Sequence, residues 1–355
     1  MSAAERSDAL DTEARELLYD LVATPSPSGE EAACAERLVS FFESHGRDAW
    51  LDDVGNVRAP ADDSVLLTSH IDTVPGDIPV RVEERDTESG TVQELWGRGS
   101  VDAKGPLATM AVAAVAAGVS FVGVVGEETN SEGARHLVSD RKAPGAVVNG
   151  EPSGWDALTL GYRGFLAGTY LATSESGHTS RPEPNAIEDA MAWWSRIQAE
   201  FDPDEWTPVF EQVTTKPVAV EGGLGDDGLS VEATMDVQFR VPPELSTEEI
   251  REVADGALDA GTVNWKEPIP PVMESPRNEV ARAFRVAIRG QGGDVSLLRK
   301  TGTSDMNIYR GAWDCPMATY GPGDSALDHA PNEHTDLANV DNAVAVLTEV
   351  ANELT

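Results

Sequence analysis

Lysine is scarce in this chain. Among 355 residues only Lys104, Lys142, Lys216, Lys266 and Lys300 carry an ammonium group, and Lys and Arg together number 26 against 62 Asp and Glu, a formal charge of −36. So little positive charge excludes nucleic acid and anionic membrane as partners, because both are bound through clusters of Lys and Arg. Cysteine is scarcer still, with Cys34 and Cys315 alone. Two thiols so far apart fit a reducing compartment better than a disulfide framework. A stretch apolar enough to span a bilayer is also missing. The nearest approach, Gly105 to Gly126, is uncharged but rich in Ala and Gly and divided by Gly118-Val119-Ser120. It reads as a buried helix, Pro106 to Ala117, followed by a buried strand, Phe121 to Val125. The opening stretch MSAAERSDALDTEARELL is acidic and charged, the pattern of a surface helix rather than of a secretory signal. The location expected from these features is the cytoplasm.

What is present is a folding chain in an acidic coat. A hydrophobic content of 40% is too high for a disordered acidic tail, and the length suggests two domains with a large core. Carboxylates in such excess over lysine point to a halophilic cytoplasm, where at ~1 M salt repulsion is screened within about 3 Å.

Helical and strand-like patterns alternate through the first part of the chain. Helices are expected over Thr12 to Val22 and Gly29 to His45, a strand over Ser64 to Thr68, then the helix and strand already described and a strand-like run Ala146 to Asn149. This alternation predicts an open α/β sheet with helices on both faces. Beyond Gly161-Tyr162-Arg163-Gly164 the order is strand (Phe165 to Thr173), helix (Asn185 to Glu200), two strands (Lys216 to Val220 and Leu229 to Arg240), helix (Thr247 to Ala260) and strand (Thr262 to Trp265). That βαββαβ order predicts a small two-layer domain. The prolines of EPIPPVMESP then return the chain to the first domain, where a helix is expected over Glu279 to Gly290. The predicted division is one domain over 1–162 and 268–355, with an inserted domain over 163–267.

Acidic and histidine clusters follow several of the apolar runs, where open α/β sheets place their ligand sites. In SVLLTSHIDTVPG, His70 and Asp72 alternate and share one side of an extended chain. A carboxylate that fixes an imidazole's tautomer is a recurring device at metal sites, although a structural His beside a turn-forming Asp reads equally well. Asp102 in GRGSVDAKGP opens the buried helix, where an N-cap is the plainer use. In FVGVVGEETNSEGA an apolar strand delivers Glu127 and Glu128, which point in different directions, so that one can hold a metal while the other faces a water. Glu151 follows GAVVNG in the same way, and YGPGDSALDHAPNEH supplies His329, with His334 as a competitor. Together these donors suffice for two divalent ions if one carboxylate bridges them, and imidazole with carboxylate suits zinc, with cobalt or manganese as substitutes.

The ordered set SHIDTVPG, GRGSVDAKGP, GEETNSEGA, NGEPS, SGHTSRPEPNAI, GTSD and GPGDSALDHAPNEH resembles the co-catalytic zinc amidohydrolases and peptidases, which include acetylornithine deacetylase, succinyl-diaminopimelate desuccinylase and carboxypeptidase G-type enzymes. The resemblance implies a zinc-peptidase-like catalytic domain with a central mixed sheet and an inserted ferredoxin-like lid and dimerisation domain. It implies that His70, Asp102 and Glu151 hold one ion and Asp102, Glu128 and His329 the other. Asp72 would then orient His70, and Glu127 would be the general base. In dimeric relatives the histidine matching His178 stabilises the oxyanion in the partner subunit's site. Arg240, Thr303 and Ser304, with Asn185 assisting, resemble positions that bind a substrate carboxylate, for which Lys300 is a second cation. The GRGSVDAKGPLATM run and RKTGTSDMN are most similar to hydrolases releasing lysine or ornithine from the C-terminal glutamate of an acidic amino-group carrier protein. Rival expectations are deacylation of acetylornithine, dipeptide hydrolysis, and a non-catalytic metal or amino-acid binding protein. Glu127 argues against the last.

The charge of −36 generates a first prediction. The melting temperature should climb steeply as potassium chloride rises from dilute to molar, because screening and ion binding act in the same direction. A melting temperature flat across that range would show that the acidic composition is not a salt adaptation.

Overall fold

A computed structural model describes residues 9–87, 90–178, 180, 182–203 and 205–355. They form two compact units. The first takes the chain up to Leu160 together with Glu274–Leu298 and Ser304–Thr355; the second takes Gly161–Met273 and Arg299–Thr303.

The first unit begins with α1 (Glu13–Val22), capped by the Thr12 side chain, and α2 (Ala32–Ser44). Helix α1 is amphipathic, with Ala14, Leu17, Leu18, Leu21 and Val22 buried, and residues 1–8 of the expected opening helix lie outside the described residues. Strands β1 (Trp50–Leu51), β2 (Val57–Ala59) and β3 (Asp62–His70) follow, then a hairpin of β4 (Arg81–Thr87) and β5 (Gly90–Trp96). Helix α3 (Lys104–Ala117) leads into β6 (Val119–Val124), α4 (Glu132–Asp140) into β7 (Val147–Gly150), and β8 (Gly154–Tyr162) leaves the unit.

The inserted unit runs β9 (Gly164–Glu175), α5 (Ala186–Glu200), β10 (Thr214–Leu224), β11 (Ser230–Val241), α6 (Thr247–Gly256) and β12 (Thr262–Trp265). This is the βαββαβ order, with an antiparallel sheet β10-β11-β9-β12. Its helices pack on one face, where Trp193 stacks on Tyr170 at 4.9 Å and donates through its indole N–H to the Ala254 carbonyl. Strand β13 (Val272–Met273) pairs with Tyr162 and Gly161. Then come α7 (Glu279–Gly290) of the first unit, β14 (Ser296–Lys300), whose last two residues belong to the inserted unit, and, again in the first unit, α8 (Asp305–Ala312), β15 (Met317–Gly321), β16 (His334–Asp336) and α9 (Leu337–Leu354).

The fold is α/β around a mixed central sheet. Its strands lie in the order β1-β2-β6-β3-β7-β15-β8; β6, β3, β7 and β15 are parallel, while β2 and β8 flank them antiparallel. Helix α3 is buried along nearly its whole length and packs between α1 and α9. Its first residue, Lys104, is buried too, and its ammonium donates to the carbonyls of Leu21 and Thr24 at 2.9 and 2.8 Å. Those carbonyls close α1, where a helix terminus is partly negative. The start of α3, and with it Asp102, is thereby anchored.

Two expectations are corrected. The inserted unit is wider than 163–267, and segment 299–303 belongs to it. The reason is Arg163, whose N–H donates to the Lys300 carbonyl and whose guanidinium donates to the Thr301 carbonyl. Helix α6 stops at Gly256 instead of Ala260, since the chain turns back at Gly261, with φ of 78°, to enter β12. Strands β4, β5 and β8 carried no expectation. The hairpin is mostly exposed and polar, so it lacks an apolar alternation, and β8 opens with Gly-Trp-Asp.

Close packing fixes the loop between β6 and α4. Gly133 donates its N–H to the Val125 carbonyl at 2.9 Å, and a Cβ on Gly133 would lie 2.5 and 2.6 Å from the Val125 N and O. Neither backbone atom has room to give way. Gly133→Ala should cost about 1–3 kcal/mol of stability, the usual range for overpacking, and should lower activity by displacing residues 126–132. Chemical denaturation and turnover measured together check this; a variant of wild-type stability would show that the loop yields.

Candidate metal centre

Parallel pairing brings the donors together. His70 ends β3 opposite Val124 of β6, and Ser69 lies opposite Gly150 of β7. The segments that follow these strands, with Asp72, Glu127-Glu128 and Glu151, therefore emerge at one edge of the sheet. Strand β15 runs parallel to β7 in register, Tyr320 beside Gly150, and the chain beyond it carries His329. Asp102 joins them from the turn before α3.

Asp102 lies between the two imidazoles. Its Oδ1 is 3.2 Å from His70 Nε2 and its Oδ2 is 3.0 Å from His329 Nε2. His329 Nε2 is also 3.1 Å from Glu128, and Glu151 Oε1 is 4.0 Å from His70 Nε2. His70, Asp102 and Glu128 each offer a donor atom within 4.8 Å of the others. His70 turns its remaining ring nitrogen to the Asp72 carbonyl at 2.9 Å. His329 alone of these is half exposed, and it adopts φ of 60°, a left-handed conformation that costs a non-glycine residue ~1–3 kcal/mol and concentrates at functional sites.

The competitor His334 is engaged elsewhere. It stacks on Trp96 at 4.3 Å, and its Nδ1 lies 2.7 Å from the Asn332 carbonyl.

Proton affinities show how the cluster balances its negative charge. Burial pulls the His70 imidazole down, yet hydrogen bonds to Asp102 and Asp72 and the charges of Glu151 and Glu127 hold it well above its usual value. His329 is pushed up to about 9, first by its hydrogen bond to Asp102. Removal from water, with the negative charge of Asp102, raises Glu128 to about 7, and removal from water beside Glu151 raises Glu127 well above the carboxylate range. Asp102 is held well below its usual value: burial raises it, but the two imidazoles outweigh burial. Carboxylates crowded this tightly cannot all ionise without positive charge among them. Imidazole nitrogens and carboxylate oxygens are also the donors that divalent transition ions prefer, so the residues fit such ions.

Asp72 does more than its spacing from His70 suggested. Its two carboxylate oxygens accept the N–H groups of Glu127 and Glu128, each at 3.1 Å, and one also accepts the Ser28 hydroxyl at 2.7 Å. It therefore fixes the backbone that aims both glutamates, a contact invisible in a sequence where 44 and 55 positions separate the partners. Asp305, of the GTSD run, is buried, its Oδ1 has no hydrogen-bond partner among the described residues, and burial raises its carboxyl to about 6.

The other expected site residues are placed as follows. His178, Asn185, Arg240, Lys300 and Thr303 belong to the inserted unit and Ser304 to the first. Arg240 donates to the Thr303 hydroxyl at 3.3 Å and lies over the Phe165 ring at 4.7 Å. Asn185 caps α5, accepting the N–H groups of Ile187 and Glu188, and Ser304 caps α8 in a reciprocal box with Asn307. His178 is exposed, its Nδ1 2.9 Å from the Ser180 hydroxyl.

Fold and site together define an α/β protein with a mixed central sheet and, at the ends of its parallel strands, a cluster of carboxylates and imidazoles suited to divalent ions. The chain belongs to peptidase family M20/M25/M40, whose family model matches residues 66–353. It is 42% identical to a [LysW]-lysine hydrolase of Deinococcus radiodurans over 96% of this chain and 97% of that protein. It is 36% identical to a putative [LysW]-lysine/[LysW]-ornithine hydrolase of Thermococcus kodakarensis, over 96% and 91%. Among solved structures, an M20 family metallo-carboxypeptidase from Sulfolobus solfataricus superposes with a TM-score of 0.75 at 17% identity, covering 97% of this chain and 99% of that one. A dinuclear metal binding peptidase of the M20 family from Bacillus subtilis does so with a TM-score of 0.69 at 15% identity, over 97% and 98%. The chain is thus a hydrolase acting on amide bonds, of a family that includes dinuclear metal peptidases.

If Asp102 is shared between two ions, Asp102→Ala should reduce bound divalent metal at both positions, whereas Glu151→Ala should spare the one near His329. Elemental analysis of the purified variants decides it. A full metal complement in Asp102→Ala would remove Asp102 from the centre.

Proposed function

We propose that the protein hydrolyses the isopeptide bond between the α-amine of lysine or ornithine and the γ-carboxyl of a carrier protein's C-terminal glutamate. Amide hydrolysis rests on the observation that Asp102 faces both imidazoles while Asp72 fixes His70 and the backbone of Glu127 at once. The carrier-linked substrate rests on near full-length similarity to the [LysW]-lysine and [LysW]-lysine/[LysW]-ornithine hydrolases.

Two divalent ions, zinc by the donor set and cobalt or manganese as substitutes, would polarise the scissile carbonyl and acidify water there. His70, Asp102 and Glu151 would hold one, and Asp102, Glu128 and His329 the other. Glu127 then takes the proton of the attacking water on its carboxylate and delivers it to the departing α-amine. His178 donates to the oxyanion as it forms. Arg240, assisted by Thr303, Ser304, Asn185 and Lys300, receives the carboxylate of the released amino acid, for which a guanidinium fork is well shaped.

The inserted domain is read as lid and dimerisation domain. Strand β10 supports this: it is the edge of its sheet, with Lys216 to Gly222 exposed and Val218 and Val220 among them. An open edge of that kind pairs with a second copy of itself. No described helix is long and apolar enough to cross a membrane, and a reducing, salt-rich cytoplasm suits the composition. High salt also lets an acidic enzyme meet an acidic carrier, since screening acts within about 3 Å at ~1 M.

Carrier-linked lysine and carrier-linked ornithine, tested beside acetylornithine and dipeptides in high salt with zinc or cobalt, should be the substrates cleaved. Cleavage of acetylornithine alone would sink the carrier reading. Glu127→Gln should keep its metal and lose about 10²-fold or more in turnover, as for a general base; a variant as fast as wild type would exclude that role. His178→Ala should lose about 10² to 10³-fold, as for an oxyanion donor. Mixing His178→Ala chains with Glu127→Gln chains should restore activity if the histidine acts on the partner's site, and should restore none if it acts on its own.

A further inference from the structure

Glu333 has no place in the chemistry above, yet it is a fully buried carboxylate beside the metal centre. One of its oxygens accepts two backbone N–H groups, from Val101 at 2.9 Å and from Asp102 itself at 3.1 Å. The other accepts the Arg98 guanidinium at 2.8 Å. Arg98 in turn donates to the Gly76 carbonyl at 3.2 Å and to the Ala330 carbonyl at 3.4 Å. Gly76 closes the HIDTVPG turn that begins at His70, and Ala330 follows His329 directly.

The topology explains how residues 231 positions apart meet. Strand β16 pairs with β5, His334 opposite Trp96, and Glu333 therefore lies against the turn that leaves β5, its own carbonyl accepting the Gly97 N–H at 3.3 Å. A buried carboxylate bonded to two N–H groups and a guanidinium is charge-compensated, and an arginine fork can hold several acceptors at fixed spacing where an ammonium is a mobile point charge.

We infer that the Arg98–Glu333 pair is a positioning clamp that ties together the three segments carrying His70, Asp102 and His329, and so sets how tightly the centre holds its second ion. The inference rests on the two-ion reading. Neither residue touches substrate or the reacting atoms. The clamp acts through the backbone of the shared ligand and through the two turns that present the imidazoles. Partners of this kind typically contribute about 10 to 100-fold in metal affinity.

The test uses the full chain as wild type, Glu333→Gln, Arg98→Met and Arg98→Lys, each stripped with chelator and titrated with zinc ion by calorimetry, with bound metal counted by elemental analysis. Wild type should take up two ions. In Glu333→Gln and Arg98→Met the weaker of the two should lose about 10 to 100-fold in affinity, with turnover falling more than KM changes. Arg98→Lys should recover much of the apo melting temperature lost in Arg98→Met, because the ion pair returns, while leaving the zinc affinity low, because the fork does not. Arg98 is partly exposed, so its variants carry the test if Glu333→Gln fails to fold. Two ions bound within about twofold of wild-type affinity in every folded variant would overturn the clamp, reducing the pair to a stabilising contact. Fewer than two ions on wild type would overturn the two-ion reading, and the clamp with it.

Discussion

Negative charge held out of water is the constraint on which this structure depends. Asp102, with one oxygen toward each of two imidazoles, has Glu127, Glu128 and Glu151 close by and Asp72 behind. Such a set is stable only when each carboxylate has protons, N–H groups or cations to face. The backbone supplies part of this, to Asp72 from two consecutive N–H groups. The rest falls to His70, His329 and the ions for which the donors are suited. The same crowding that would be a liability in a structural core is what suits the site to divalent ions.

The fold serves that constraint by direction. Parallel strands end on the same side, so the segments that follow them bring the donors together. The buried Lys104 anchors α3 just after Asp102, and Gly133 anchors α4 just after the glutamates. The turns that carry the candidate donors are thereby held at their helix ends by buried hydrogen bonds. Metal sites gain in affinity when their ligands need little reorganisation on binding.

Much of both units was legible in the chain. Helix α3 and strand β6 show as an uncharged run broken by Gly118, and the βαββαβ order shows as six alternating patterns. The hairpin of β4 and β5 was not legible, because a strand whose side chains are mostly in water needs no apolar alternation. Nor was the membership of residues 299–303 in the inserted unit, which depends on Arg163 donating to the carbonyls of that distant segment.

The site divides in the same way. The sequence determined which donors exist and that each follows an apolar strand, since residue type and local period are properties of a short stretch. It could not by itself choose between His329 and His334, five positions apart, or between Glu127 and Glu128. The tertiary structure sets the two histidines apart, stacking His334 on Trp96 while turning His329 toward Asp102 and Glu128. It also created roles for Asp72 and Glu333 that no spacing announces, because backbone N–H groups are alike in every sequence, and only folding determines which carboxylate they meet.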